Sequence, residues 1–251
     1  QRAAIRKLYD RLRPWGRIGF NCVLHKHNTS LAAVRCHIAE RLGVPVDDIP
    51  LSTEEILLPY DQGGVALSPQ SESDHRSYLE AVFWEAVRGE SMPVSTLRSK
   101  IDEFFRSIAQ ARPASSLGQK CGMDRPTDLA VDLKGNALTC QNTSAATKHR
   151  IGSIEAFEDI RLTTAHHWST RAECRSCPVL QLCQGACLFL EDGLWRQACD
   201  NSFTHNLAVL AASLYWLTRL VLVEIEGPVM RRDGLPTRIP VITLPAEPAA
   251  A

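Results

Sequence analysis

Seven of the nine cysteines fall after residue 120, and their spacing constrains the chain more than any other feature. Cys121 is followed by thirteen residues, Gly135, four residues and Cys140; after a gap comes Cys174-x2-Cys177-x5-Cys183-x3-Cys187, then eleven residues and Cys199. Two thiolates separated by two residues can bind one metal centre from a single tight turn, because the turn's N–H groups also point at the sulfurs. An iron–sulfur cluster needs up to four thiolates converging from several directions, so seven exceed one cluster and nearly fill two. A four-cysteine zinc site usually draws on two C-x2-C pairs, and here only Cys174 and Cys177 form one. A disulfide framework is a poor reading, because the count is odd and no secretory signal is visible. The other two cysteines, Cys22 and Cys36, read as small buried residues.

The rest of the chain bounds the classes of function. It has 251 residues with 28 basic and 28 acidic side chains, enough length for a real core in one large or two smaller domains. Balanced charge gives no support for a nucleic-acid or membrane partner. The opening QRAAIRKLYDRLRPW is charged and helical in pattern, and with Gln1 in first place it reads as a truncated start of a cytoplasmic protein. The longest apolar stretch, Leu207 to Val223, is broken by Ser213, Thr218 and Arg219 and is short for a membrane span, so a buried helix is expected there.

Hydrophobic spacing predicts an amphipathic helix over residues 2–13 from Ile5, Leu8, Tyr9, Leu12 and Trp15, ended by Pro14 and Gly16. Ile18, Phe20, Cys22 and Leu24 alternate with Gly19, Asn21, Val23 and His25 as a two-faced strand. Asn28 or Thr29 should cap a helix over Ser30–Leu42, stopped by Gly43, and a short strand is expected near Asp48–Leu51. Helix–strand–helix–strand order indicates α/β units with parallel strands. Residues 53–70 carry no functional reading. Helices are expected over Glu72–Val87 and Val94–Ala109, then a linker, with a domain boundary near residue 112. DLAVDLKGNALTC reads as a hairpin turning at Lys134-Gly135, residues 174–199 as loop and short helix, and 202–224 as a closing helix before a Pro-rich tail, 227–251.

With these residues in place, the cysteine pattern resembles the SPASM domain, the C-terminal extension of radical S-adenosylmethionine (SAM) enzymes that modify peptides and proteins. Residues 121–199 meet every spacing of that signature, and CQGAC resembles its glycine-containing link. The resemblance implies that Cys121, Cys140 and Cys187 serve auxiliary cluster I, and that Cys174, Cys177, Cys183 and Cys199 serve auxiliary cluster II. It leaves one iron of cluster I open, water-bound, or held by a non-cysteine group such as Asp124. More weakly, GRIGFNCVLHKHNTSLAAVRCHIAERLGV resembles the fifth strand and following helix of a radical SAM partial barrel, whose inward residues would be Gly19, Asn21, Val23 and His25 near SAM and substrate. As readily, these are ordinary barrel residues.

The fold so implied is α/β plus α+β. Residues 1–112 would be the C-terminal part of a partial (β/α)6 barrel with linking helices, and residues 113–226 a SPASM domain with a β-hairpin and a closing helix. The chain lacks the Cys-x3-Cys-x2-Cys that holds the SAM-cleaving cluster in that family, so SAM and a third 4Fe–4S cluster are expected in a half upstream of Gln1. The parent would resemble a maturase that forms a 5′-deoxyadenosyl radical, abstracts hydrogen from a ribosomally made peptide or protein and installs a crosslink. Two auxiliary 4Fe–4S clusters would remove the remaining electron or bind substrate, and a reducing electron donor would start the cycle. Sulfatase-maturing relatives carry an Asp where this chain has Gln141, which makes formylglycine formation a lesser alternative. A non-catalytic iron–sulfur electron-transfer module is another.

Overall fold

Helical spacing at the start of the chain produces α1 (Arg2–Leu12), followed by one 3-10 turn over Arg13–Trp15. Pro14 lies in its first turn, where a missing N–H costs little. Only Tyr9 of the predicted apolar stripe is buried; Ile5, Leu8, Leu12 and Trp15 stay exposed. The computed structural model describes residues 2–16, 18–53, 55–56, 62–88, 96–113, 118–123, 125, 127–162 and 165–225. Asp124, the tail 227–251 and the expected helix start at Val94 lie outside the described residues.

β1 (Phe20–Cys22) pairs in parallel with β2 (Leu51–Thr53), Phe20 opposite Leu51, and α2 (Leu31–Leu42) connects them. The second strand lies later than the expected 48–51, because Val46–Asp48 winds into a 3-10 turn behind Pro45. The cap of α2 is Ser30, whose hydroxyl accepts from the Ala33 N–H at 3.2 Å. The expected cap Asn28 is used elsewhere: its side-chain carbonyl accepts from His25 N–H at 2.5 Å and its amide donates to the Val23 carbonyl at 3.2 Å. Gly43, in the left-handed region at φ 61°, closes the helix by donating to Ala39 and Glu40. Cys36 is exposed on α2, against the expectation that it is buried, and Cys22 is half-buried. Leu31, Arg35, Ala39 and Leu42 take the buried face of α2, which turns Cys36 outward.

α3 (Glu72–Arg88) and α4 (Thr96–Ala109) precede the cysteine-rich part, and α7 (Asp192–Thr218) follows it. α7 begins ten residues before the helix expected at 202, so Cys199 stands on it rather than in a loop. Tyr78, Leu79, Val82, Phe83 and Ala86 of α3 share one core with Leu207, Ala208, Val209, Ala211 and Ala212 of α7. The small alanines let the two backbones come close. Leu97 and Ile101 of α4 join the same core, as do Val179, Leu182 and Cys183 from beyond residue 112. Residues 207–209 and 211–213 of the apolar stretch are thus buried inside the protein, whereas Leu217, Leu220 and Val223 are exposed and the helix stops at Thr218; no helix among the described residues is long and apolar enough to cross a membrane.

Polar side chains are buried in this interface, and each needs a partner. The Tyr78 hydroxyl lies 3.0 Å from His205 Nδ1 and accepts from Ile56 N–H at 3.2 Å; His75 Nδ1 lies 2.8 Å from Thr204 Oγ1. Burial lowers the pKa of His205 to about 3, so it stays neutral. Arg35 and Glu85 form a buried ion pair at 3.3 Å between α2 and α3. The stretch without a functional reading contributes Glu55 and Ser68, both buried: Asn206 donates to Glu55 at 3.1 Å, and Asn201 to Ser68 at 2.9 Å.

Beyond the linker, β3 (Ala130–Val131) and β4 (Asn136–Leu138) form the expected hairpin. One Asp132 carboxylate oxygen accepts from the N–H groups of Lys134 and Asn136, and Gly135 supplies the positive φ, 80°. A third strand, β5 (Arg150–Ser153), adds antiparallel to β4. Two single-turn helices, α5 (Ala172–Arg175) and α6 (Leu180–Cys183), then carry the thiols toward α7.

Candidate metal centre

The local fold brings the seven late cysteines into two places. Cys174 ends up on α5, Cys177 just after it, Cys183 at the end of α6 and Cys199 on α7. All four line one small cavity with Val179, Leu180, Ala186 and Phe203. Turn hydrogen bonds hold the loop: Cys177 N–H donates to the Cys174 carbonyl at 3.3 Å and Leu180 N–H to that of Cys177 at 3.2 Å. Burial pushes the Cys183 thiol far up, and Glu55, Cys199 and Cys177 push the same way, against Lys100. A thiol in such surroundings ionises only if positive charge comes with it.

The second group is Cys121, Cys140 and Cys187. Burial raises the Cys140 thiol first, and Cys187 and Cys121 are near enough to raise it further. The backbone N–H groups of Asn142 and Gln141 act in the opposite direction, that of Asn142 lying 3.5 Å from the sulfur. Phe189 N–H likewise points at the Cys187 sulfur from 3.4 Å. Such N–H···S contacts are among the levers by which a protein tunes an iron–sulfur centre.

Three devices assemble this group. Thr139 N–H donates to the His149 carbonyl at 3.0 Å, and the Thr143 hydroxyl to that of Cys140 at 2.6 Å, which fix Cys140 at the end of the sheet. Before Cys121, Gln119 donates to the Ala186 carbonyl at 3.1 Å and accepts from Trp168 N–H at 2.9 Å, while Lys120 N–H donates to the Gln184 carbonyl at 2.9 Å. The third device is the Cys183–Cys187 link. Gln184, Gly185 and Ala186 have φ of 51°, 85° and 48°, three left-handed residues in a row, and they send Cys183 to one group and Cys187 to the other. A Cβ on Gly185 would lie 2.5 Å from that of Trp168 and 2.7 Å from the Gln119 amide, so glycine is needed for space as well as for φ.

The donor set can be tested against the group it would hold. No three His, Cys, Asp or Glu side chains among the described residues close on one point tightly enough for a single metal ion. A tetrahedral ion with metal–sulfur bonds of about 2.3 Å needs its thiolates about 3.8 Å apart; iron and bridging sulfide hold them wider. Sulfur-only donors, apolar walls and N–H groups aimed at two sulfurs fit a cluster better than an ion. No disulfide joins any of the nine cysteines.

Asn21 and Val23 are exposed on β1 and just beyond it, His25 is half-buried, and none of them lines the thiol cavity. Phe20, Cys22 and Leu24 take the core side instead. Sequence reasoning missed Gln119, Lys120, Glu55 and Arg171. Lys120 donates to the buried Glu55 at 2.9 Å. Burial opposes the Glu55 charge, but the Lys120 and Lys100 ammonium groups outweigh it and hold the carboxyl well below its usual range. No spacing rule signals such pairs; only the position of Gln119 and Lys120 just before Cys121 gave a hint.

No protein-family model and no curated protein sequence matches the chain. Among solved structures it is similar to a histidine-tagged anSMEcpe with bound AdoMet, at a TM-score of 0.48 and 16% identity, over 82% of this chain and 57% of that one. It is also similar to native anSMEcpe with bound AdoMet and Cp18Cys peptide, at 0.49 and 16%, over 82% and 60%. The chain therefore spans less than two thirds of these structures. Likeness of this degree is coarse and assigns no residue a role.

Proposed function

We propose that Cys174, Cys177, Cys183 and Cys199 hold one iron–sulfur cluster, and Cys121, Cys140 and Cys187 a second, in a radical SAM enzyme that modifies a ribosomally made peptide. The observation that carries this is the sorting of seven regularly spaced thiols into a group of four and a group of three. When bound, such clusters supply one-electron chemistry, or an open iron to a substrate atom. The chain's own part is to converge the thiolates, direct N–H groups at Cys140 and Cys187, and keep water from the group of four with Val179, Leu180 and Phe203.

On this reading residues 1–112 belong to the barrel, with Asn21, Val23 and His25 on its substrate side. SAM, its own cluster and a reducing donor would act with residues outside the sequence given, in the cytoplasm. A Cys-x3-Cys-x2-Cys in the gene upstream supports that arrangement; a complete gene without it leaves an electron-transfer module. Formylglycine formation is the second reading, weakened by Gln141 in place of a carboxylate base.

The direct test is anaerobic reconstitution of the protein with iron and sulfide, followed by metal analysis and Mössbauer spectroscopy. About eight irons per chain as two 4Fe–4S clusters is the expected result. Zinc binding, or no iron beyond that of an all-serine control, overturns the assignment.

A further inference from the structure

Arg171 caps α5 three residues before Cys174, whose N–H donates to its carbonyl at 3.1 Å. One of its terminal nitrogens donates to the Leu190 carbonyl at 2.9 Å and approaches that of Leu188, the residue after Cys187, at 3.5 Å. The guanidinium lies over the Trp195 ring, 4.4 Å from its centroid, one helical turn before Cys199. Its Nε is buried and makes no hydrogen bond among the described residues. Burial lowers the Arg171 pKa, and Cys174, then Cys187 and Cys199, with the Glu173 carboxylate after them, work against it without overcoming it. Two of these sulfurs belong to the group of four and one to the group of three.

A half-buried cation with an unpartnered donor is costly unless anionic charge lies close by. Thiolates at Cys174, Cys187 and Cys199, all near enough to act on it, meet that need, and a guanidinium cannot lose its proton in compensation. A fixed positive charge near two redox centres also favours adding an electron to either.

We propose that Arg171 is a positioning residue that serves as the shared counter-charge of both clusters, raising the reduction potential of each. This rests on the two-cluster reading above. Removal of the charge shifts each reduction equilibrium on the order of tenfold toward the oxidised form, about 59 mV for one electron. The carbonyl clamp alone, with no charge role, would leave the potentials where they are.

The test is a dithionite titration of the reconstituted full-length protein, followed by electron paramagnetic resonance, on wild type, R171Q and R171K. Both potentials falling in R171Q and staying near wild type in R171K is the expected result. R171Q with both clusters and unchanged potentials overturns the proposal. If R171Q loses its clusters, R171K decides: clusters kept at wild-type potentials support the charge role, and clusters lost in R171K as well show a packing role and overturn it. A wild-type protein that binds no cluster refutes the underlying two-cluster reading instead, a separate outcome visible before any variant is made.

Discussion

The group of four thiols comes from one stretch, residues 174–199, while the group of three is drawn from 121, 140 and 187 across the sheet, the strap formed by Gln119 and Lys120, and the left-handed link. The first is walled by core residues and touches the α3–α7 interface through Cys183 and Val179. The second is half-buried at the edge and is held by hydrogen bonds to loops. Local assembly on a core buries two of its four thiols, Cys174 and Cys183; assembly from distant pieces leaves all three of its thiols half-buried.

The sharpest way to break this contrast is to damage what the two groups share. Gly185→Ala forces a Cβ onto Trp168 and Gln119 at a φ of 85°, and a loss of about 3 kcal/mol is expected. Chemical denaturation measures it, and iron content should fall at both groups; loss at only one shows that the link is not shared. Next, Cys174→Ala removes a proposed ligand from the group of four and should reduce iron content and cooperativity of unfolding broadly. Cys121→Ala should spare the group of four and, if the proposed enzyme reading holds, abolish product formation by the full-length protein. Equal iron loss in the two variants erases the contrast.

Smaller effects sharpen it. Lys120→Met takes the hydrogen-bonded cation from the buried Glu55 carboxylate, leaving it the Asn206 amide and the charge of Lys100, and should cost about 2 kcal/mol by thermal denaturation. The strap beside Cys121 should loosen while the group of four keeps its metal. Thr139→Val removes the hydroxyl 2.9 Å from His149 Nδ1 behind Cys140, with an expected loss of about 1 kcal/mol. Gln141 is exposed, and Gln141→Ala should change stability by no more than about 0.5 kcal/mol.

The cysteine spacing was legible because the seven thiols keep a regular register in the sequence; Cys174, Cys177, Cys183 and Cys199 line one cavity and Cys140 feels Cys121 and Cys187, and what they ligate is the proposal above. The hairpin was legible from alternation around Lys134-Gly135. β5 was not, since RIGS has no alternating apolar pattern and is a strand only because β4 offers it an edge. The start of α7 was hidden by Asp192-Gly193, which reads as loop chemistry yet opens the helix. The network of Glu55, Tyr78 and His205 could not be read either, because each partner is specified by packing between segments far apart in sequence.

The strap that ends at Cys121 bears on the order in which the molecule assembles. Its three hydrogen bonds reach residues 168, 184 and 186, which must already be in place to receive them. Closing a chain of roughly 65 residues rather than 25 costs an extra ~0.9 kcal/mol of loop entropy, before the sheet that presents Cys140 is counted. In refolding followed by pulsed alkylation, Cys183 and Cys199 should gain protection before Cys121. The edge site is then a late event, completed on a scaffold that the interior site has already made rigid.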